Sequence, residues 1–259
     1  MPVRCPAMDL TRRTLVKVPE ITLVFWVTKL LTTAMGESTS DYLVNAVSPV
    51  LAVAVGTLVL LGVVAFQVSR DRYIPWVYWL AVLTVAIVGT MAADVLHKQF
   101  GVPYLASSVF FAIVLTVAFL AWHRVEGTLS IHSVETTRRE LFYWVAVMAT
   151  FAKGTALGDY TASTLGLGYL ASAAFFAGLM LIPAIGYRWF KMNEVLAFWF
   201  AYVLTRPLGA SIADWLAKPK HRSGLGLGDG PVSLGFSILI VLCVVAMTRA
   251  WKRTPDASA

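Results

Sequence analysis

Charge is scarce in this chain. Only 14% of its 259 residues are Asp, Glu, Lys or Arg, against roughly 25% in soluble domains. No polar stretch is long enough to build a separate extramembrane domain. Cysteine is almost absent: Cys5 lies in a basic N-terminal stretch and Cys243 in the last apolar run, so no disulfide is expected between them. The opening MPVRCPAMDLTRRTLVKVPE lacks an apolar core followed by a small-residue cleavage site. It reads as a cytoplasmic tail ahead of an uncleaved first helix. The nucleophile, base and orienter of an intramembrane hydrolase are missing too. No catalytic residue is assigned, and the chain is not expected to be an enzyme. The glycine-rich HRSGLGLGDG at 221–230 follows no strand, which rules out a phosphate loop and leaves a flexible outer loop.

What is present is apolar. Hydrophobic residues make up 58% of the chain, and the mean hydropathy is +0.74. Eight runs of about twenty residues lie near 20–43, 48–69, 76–97, 104–122, 141–162, 166–187, 194–216 and 231–249. Each can cross a hydrocarbon core of about 30 Å as a helix. The expected fold class is an all-α integral membrane protein with eight transmembrane helices. Its single membrane domain covers 20–250, between tails at 1–19 and 251–259. The net charge of +7 is explained by placement. Fourteen basic residues, Arg4, Arg12, Arg13, Lys17, Arg70, Arg72, Arg124, Arg138, Arg139, Arg188, Lys191, Arg249, Lys252 and Arg253, fall on one side of that topology, and only Lys98, Lys218, Lys220 and Arg222 on the other. That bias is expected to put both termini in the cytoplasm and leaves little basicity for a nucleic-acid partner to account for, so none is expected.

The first run holds FWVTKLLTTAMGESTSDYL, residues 25–43, and its pattern recurs. Gly36 stands ten residues after Trp26 and Asp41 fifteen after it. Tyr78-Trp79 is followed at the same spacings by Gly89 and Asp94, Tyr143-Trp144 by Gly154 and Asp159, and Phe198-Trp199 by Gly209 and Asp214. A small residue precedes each aspartate: Ser40, Ala93, Gly158 and Ala213. YLASS at 104–108 and YLASA at 169–173 extend the likeness into a second helix. The chain is thus four tandem two-helix repeats, near 20–70, 73–123, 138–188 and 193–250. Each has an even number of crossings, so all four point the same way. Fifteen helical residues rise about 22 Å. With the motif tryptophans in the cytoplasmic interfacial belt, the four aspartates share one depth in the outer part of the hydrocarbon layer.

An unpaired charge in the bilayer interior costs roughly 2.5–3.5 kcal/mol or more, so such groups face a bundle interior or one another. The embedded acids are Glu37, Asp41, Asp94, Asp159 and Asp214; the embedded bases are Lys29, Lys153 and Arg206. The formal excess of two negative charges calls for protons or a bound cation. Glu37 and Asp41, four apart on one helix face, are the candidates for direct metal contact, with hard oxygen ligands suited to protons, magnesium, manganese or calcium. Plainer readings stay open. Each acid could end its own helix at the water, and Lys153 and Arg206 could pair with Asp159 and Asp214 or bind an anionic substrate. Gly36, Gly89, Gly154 and Gly209, each four residues before a small residue, suit close helix packing. Pro207 after Arg206 invites a kink. His97, three residues after Asp94, is a weak zinc ligand set by itself and suits a hydrated position.

The units FW…GES..DYL, YW…GTMAADVL, YW…GTALGDYTAS and FW…GASIADWL resemble a family of bacterial uncharacterised membrane-anchored proteins with four copies of a two-helix repeat of unknown function. The resemblance covers about residues 17–250 and implies an inner-membrane location and eight helices. It implies no activity. The polar residues themselves point to a secondary transporter or exporter of a small cation, a hard divalent metal such as manganese or a proton-coupled ion. The partners expected are the lipid bilayer and a small ion or small polar solute. No cofactor is expected beyond a bound divalent cation, and the oligomeric state is not specified. The alternative is a non-transporting scaffold or sensor acting through a partner; a lipid-modifying enzyme is a weaker third.

Overall fold

Eight long helices account for most of residues 16–252, the part of the chain described by the computed structural model. Expectations that fall on residues 1–15 and 253–259, among them Cys5, Arg4, Arg12, Arg13 and Arg253, lie outside the described residues. The helices are α1 (Leu23–Ala46), α2 (Pro49–Val68), α3 (Pro75–Lys98), α4 (Tyr104–Glu126), α5 (Thr137–Asp159), α6 (Tyr169–Trp189), α7 (Glu194–Ala217) and α8 (Asp229–Lys252). Their starts are written in the sequence. The side chains of Thr22, Ser48, Thr136 and Asn193 accept hydrogen bonds from the first free backbone N–H groups of α1, α2, α5 and α7. Pro49 and Pro75 occupy first-turn positions, where no donor is lost. Gly127, at φ 72°, ends α4 in the left-handed region.

Seven of the eight, α2 to α8, are long and apolar enough to cross a membrane. The exception, α1, has the same 24-residue length as α3, α7 and α8. Its polar face, Lys29, Thr32, Thr33, Glu37, Ser40 and Asp41, is buried within the protein. Bundle contacts, not lipid, receive that face.

The odd helices form an inner ring, with α1 on α3, α3 on α5, α5 on α7, and α7 back on α1. The even helices lie outside, and each packs chiefly on the inner helix of the following repeat: α2 on α3, α4 on α5, α6 on α7, and α8 on α1. Burial separates the two layers. In α3, α5 and α7, 67% of the apolar window is buried, against 6% in α2 and 11% in α8. The exposed Leu and Val side chains of the outer helices give the bundle an apolar outer surface, as a membrane setting requires.

The ring is held in register by the repeat itself. A Cβ placed on Gly36 would lie 2.5 Å from the Ala86 Cβ, and one on Gly89 would lie 2.7 Å from the Phe151 Cβ. One on Gly154 would overlap the Arg206 side chain, and one on Gly209 the Thr33 side chain. The obstructing residue is always three before the next motif glycine, and the fourth repeat closes on the first. Each motif glycine therefore lets two inner helices approach at equal height.

The motif aromatics follow the same cycle. Phe25 meets Trp79 at 5.7 Å, Tyr78 meets Trp144 at 5.7 Å, Tyr143 meets Trp199 at 6.1 Å, and Phe198 meets Trp26 at 5.7 Å. This corrects the interfacial-belt expectation. Trp79, Trp144 and Trp199 are buried and seal the N-terminal end of the inner ring. Four parallel helices bring large rings to one height, and stacking them against one another removes more apolar surface than a belt position does. Below the seal, Lys17 forms a buried ion pair with Glu140 at 3.0 Å, while Gln67 donates to the other Glu140 oxygen at 2.9 Å. Arg139 grips Glu126 at 2.7 Å and Arg138 grips it as well, tying the α4–α5 connection.

Candidate functional site

Beyond the aromatic seal, the interior of the ring is polar. Lys29 comes first. It is fully buried, has no hydrogen-bond partner among the described residues, and lies over the rings of Phe151 at 4.0 Å and Tyr202 at 4.2 Å. These contacts have cation–π geometry.

One turn further on, Arg206 reaches from α7 to all three other inner helices. Its Nη1 donates to the Thr33 carbonyl at 2.9 Å on α1, and its Nη2 shares two N–H groups among Glu37 Oε2 at 2.6 Å on α1, Thr155 Oγ1 at 2.6 Å on α5 and Thr90 Oγ1 on α3. Glu37, Thr90 and Thr155 are the residues directly after the first three motif glycines. The guanidinium thus sits on the pseudo-fourfold axis, with no exposed surface. The planar fork of donors makes one Arg able to bind several acceptors at once. Pro207 leaves α7 continuous, and Gly154 and Gly158 of α5 give it room.

The next layer holds the acids. Glu37, Asp41 and Asp214 are buried, and a carboxylate oxygen from each lies within 4.8 Å of the others. Oxygens gathered this closely from three carboxylates are the hard donor set that cations such as calcium, magnesium or manganese take. Lys218 reaches Asp41 at 2.5 Å, Asp229 at 3.1 Å and Asp214 at 3.7 Å. Lys98 reaches Asp94 at 2.9 Å and Asp41 at 3.4 Å. Burial works against the Lys218 ammonium, but Asp41 and Asp214 outweigh it and hold its pKa above lysine's ordinary value. Asp159 lies within the field of Glu37, Asp214, Asp94 and Asp41 and makes no ion pair among the described residues. Tyr104 sits near Asp159 and Asp94, and Tyr169 near Asp214 and Asp159, which gives the repeated YLAS segments a place beside the acids.

Three of the five expected acids, Glu37, Asp41 and Asp214, therefore converge, and Asp94 joins them through Lys98, which also reaches Asp41. The bases are distributed differently. Arg206 pairs with Glu37, not with Asp214. Lys29 pairs with aromatic rings, and Lys153 is half-buried without an ion pair among the described residues. Lys98 and Lys218, which sequence reasoning placed on the outer side and left out of the site, do the capping. Each follows a motif aspartate by four residues, a spacing that puts both on one helix face. Thr90 and Thr155 were legible as column mates of Glu37. His97 turns away, with Nδ1 2.9 Å from the Val102 carbonyl and its ring stacked on Tyr104.

The glycine-rich segment is also not a free loop. Leu225, Gly226, Leu227 and Gly228 donate backbone N–H groups to the carbonyls of Trp215, Lys218, Leu216 and Ala217 at 2.7–3.1 Å. It folds back on the last turn of α7, with Gly226 and Gly228 at φ 81° and 85°. Those positive angles are where glycine is needed, and the segment fixes the backbone of Lys218 and carries Asp229 to its side chain.

The fold is a bundle of four tandem two-helix repeats with a charged cluster inside it, and seven of its eight long helices are long and apolar enough to cross a membrane, the class of a multi-helix apolar protein compatible with a membrane setting. Residues 24–73, 77–128, 142–193 and 197–253 each match the family described as Repeat of Unknown Function (DUF347), and the chain belongs to that family. No curated protein and no solved structure matches it significantly.

Proposed function

We propose that this chain is a carrier of a small hard cation in the plasma membrane, with both termini on the cytoplasmic side. One observation carries the reading: the carboxylates of Glu37, Asp41 and Asp214 converge inside the ring instead of splaying toward separate surroundings. In this reading those three groups hold the ion, a divalent metal such as manganese, and Asp94 and Asp159 complete the acidic lining. Arg206 fixes Glu37. Arg206 places positive charge between the site and the aromatic seal, so the site communicates with the C-terminal ends of the inner helices in this conformation. The basic-residue bias supports the assigned orientation.

The test is manganese flux into proteoliposomes containing the purified chain. The Asp41→Asn, Asp159→Asn double variant is expected to lose flux while eluting and melting as a folded protein. Full flux from that variant overturns the reading. A second reading is favoured by Lys98 and Lys218, which already fill cation positions. The cluster would then lock the four repeats of a scaffold or sensor, and the same substitutions would lower abundance, with no flux in the parent protein.

A further inference from the structure

Three cations touch the acidic cluster, and they differ in freedom. Arg206 has no exposed surface and is bonded to α1, α3 and α5. Lys98 is 46% exposed at its side chain and lies at the edge. Lys218 is between these extremes at 16%, and its ammonium is seated among carboxylates from two sides. On one side are Asp41 and Asp214, two of the three groups whose oxygens converge. On the other is Asp229, at the start of α8, 20% exposed at its side chain. The backbone of Lys218 is pinned, because Gly226 donates to its carbonyl at 2.8 Å and Gly224 lies too close to that carbonyl to carry a side chain. Only the side chain is left to move. A lysine stem with four rotatable bonds can shift its ammonium between two acceptor groups that it already contacts.

Resting on the cation reading above, we infer that Lys218 is a tethered counter-cation that occupies the ion site and is displaced onto Asp229 when a divalent cation binds. The seated ammonium is itself the sign that this set of carboxylates accepts a cation. Both cannot remain, because a divalent ion held by Asp41 and Asp214 would meet an ammonium 2.5 Å from one of its ligands. Like charges at such a distance repel strongly in a partly buried site. Asp229 gives the displaced ammonium a partner, so neither state leaves Lys218 unpaired. The glycine-rich segment thereby acquires a role. It holds the pivot still and brings the second acceptor within reach.

The experiment is manganese titration, by calorimetry, of the purified full-length protein in detergent. Lys218→Met removes the competitor and is expected to tighten binding on the order of tenfold, within the usual range of site coupling. Asp229→Asn removes the alternative acceptor and is expected to weaken binding by a similar factor. In the Lys218→Met background, Asp229→Asn should change affinity less than about twofold, because the two residues act through one another. That non-additivity separates the pivot from a simple change of local charge. If Lys218→Met does not fold, Asp229→Asn alone still tests the direction, since asparagine can retain the helix-start position. Manganese binding by the parent protein that neither substitution alters, or additive effects of the two, overturns the pivot and leaves the cation site standing. Absence of binding by the parent and by every variant overturns the cation site and the pivot with it.

Discussion

Removing Arg206 should be among the most damaging single changes in this protein. Arg206→Leu deletes an ion pair of 2.6 Å to Glu37 and hydrogen bonds to the Thr33 carbonyl, Thr155 and Thr90, all without exposed surface on the arginine. The lost bonds matter less than what stays behind. Glu37 is only 3% exposed and would be left with no other base within ion-pair distance among the described residues. Breaking a buried pair from one side costs about 3–5 kcal/mol. For a chain of this size each kcal/mol lowers the melting temperature by roughly 2–4 °C, so the expected drop is about 6–20 °C. The matching double variant, Arg206→Leu with Glu37→Leu, removes the stranded charge and should recover at least half of that loss. Thermal unfolding of the detergent-purified protein, followed by size-exclusion elution of the heated sample, reads both values. A single variant within 2 °C of the parent, or a double variant no better than the single, refutes the placement of a charged Arg206–Glu37 pair at the centre.

Other consequences are equally direct. Gly36→Ala should destabilise by about 1–3 kcal/mol, because its Cβ would stand 2.5 Å from that of Ala86; Gly62→Ala, with nothing within 4 Å of its Cβ, should gain about 0.5–1 kcal/mol from helix propensity. The same unfolding assay compares them. Lys17→Met strands the buried Glu140 carboxylate and should lower the melting temperature, whereas Lys17→Met with Glu140→Gln should restore much of it. The Lys218 contribution has a defined pH sign. Its folded pKa lies above lysine's ordinary value, so its stabilisation is complete below about pH 10 and is lost only as pH rises toward the folded value. The difference in melting temperature between parent and Lys218→Met should therefore be the same at pH 7 and pH 9. Finally, a cysteine placed at the exposed His221 should react with an impermeant maleimide from outside intact cells, and labelling only after permeabilisation reverses the assigned orientation.

The repeat was legible because its spacing is a geometric instruction. A glycine every time at the same distance from Phe/Tyr-Trp means that equivalent points of four parallel helices can meet, and they do, from Gly36 against Ala86 to Gly209 against Thr33. Convergence of the acids followed from equal depth. Partner choice did not. Arg206 and Glu37 are 169 residues apart, and nothing local to Arg206 indicates α1 over the nearer Asp214. Lys98 and Lys218 were hidden for a different reason. A residue at a helix end reads as part of the loop side, but Lys98 is the last residue of α3 and Lys218 the capping residue just after α7, near enough for both lysine stems to turn back over the acids. The tryptophans misled because belt preference describes an isolated helix in lipid. The next repeat was the stronger partner.

The broken symmetry of the polar centre has a steric cause as well as a chemical one. The residues three before the motif glycines are Thr33, Ala86, Phe151 and Arg206. Each begins in a contact between neighbouring inner helices, but two are large enough to reach the axis. The Arg206 guanidinium takes the axial position, and the Phe151 ring lies beneath it at 5.4 Å and beneath Lys29 at 4.0 Å. Four arginines there would compete for one space and repel one another; four alanines would leave that space empty, an arrangement penalised by lost contacts. One cation, one ring and two small residues fill it. The fourth repeat accordingly carries Ala210 where the others carry Glu37, Thr90 and Thr155, so that column supplies three side-chain acceptors around the Arg206 guanidinium. Four copies of an identical unit could close the ring, but only copies that have diverged at these two columns can fill its centre. A symmetric pore along this axis is therefore excluded in the observed conformation, and any ion that uses the acids must reach them from the end covered by Lys98 and Lys218.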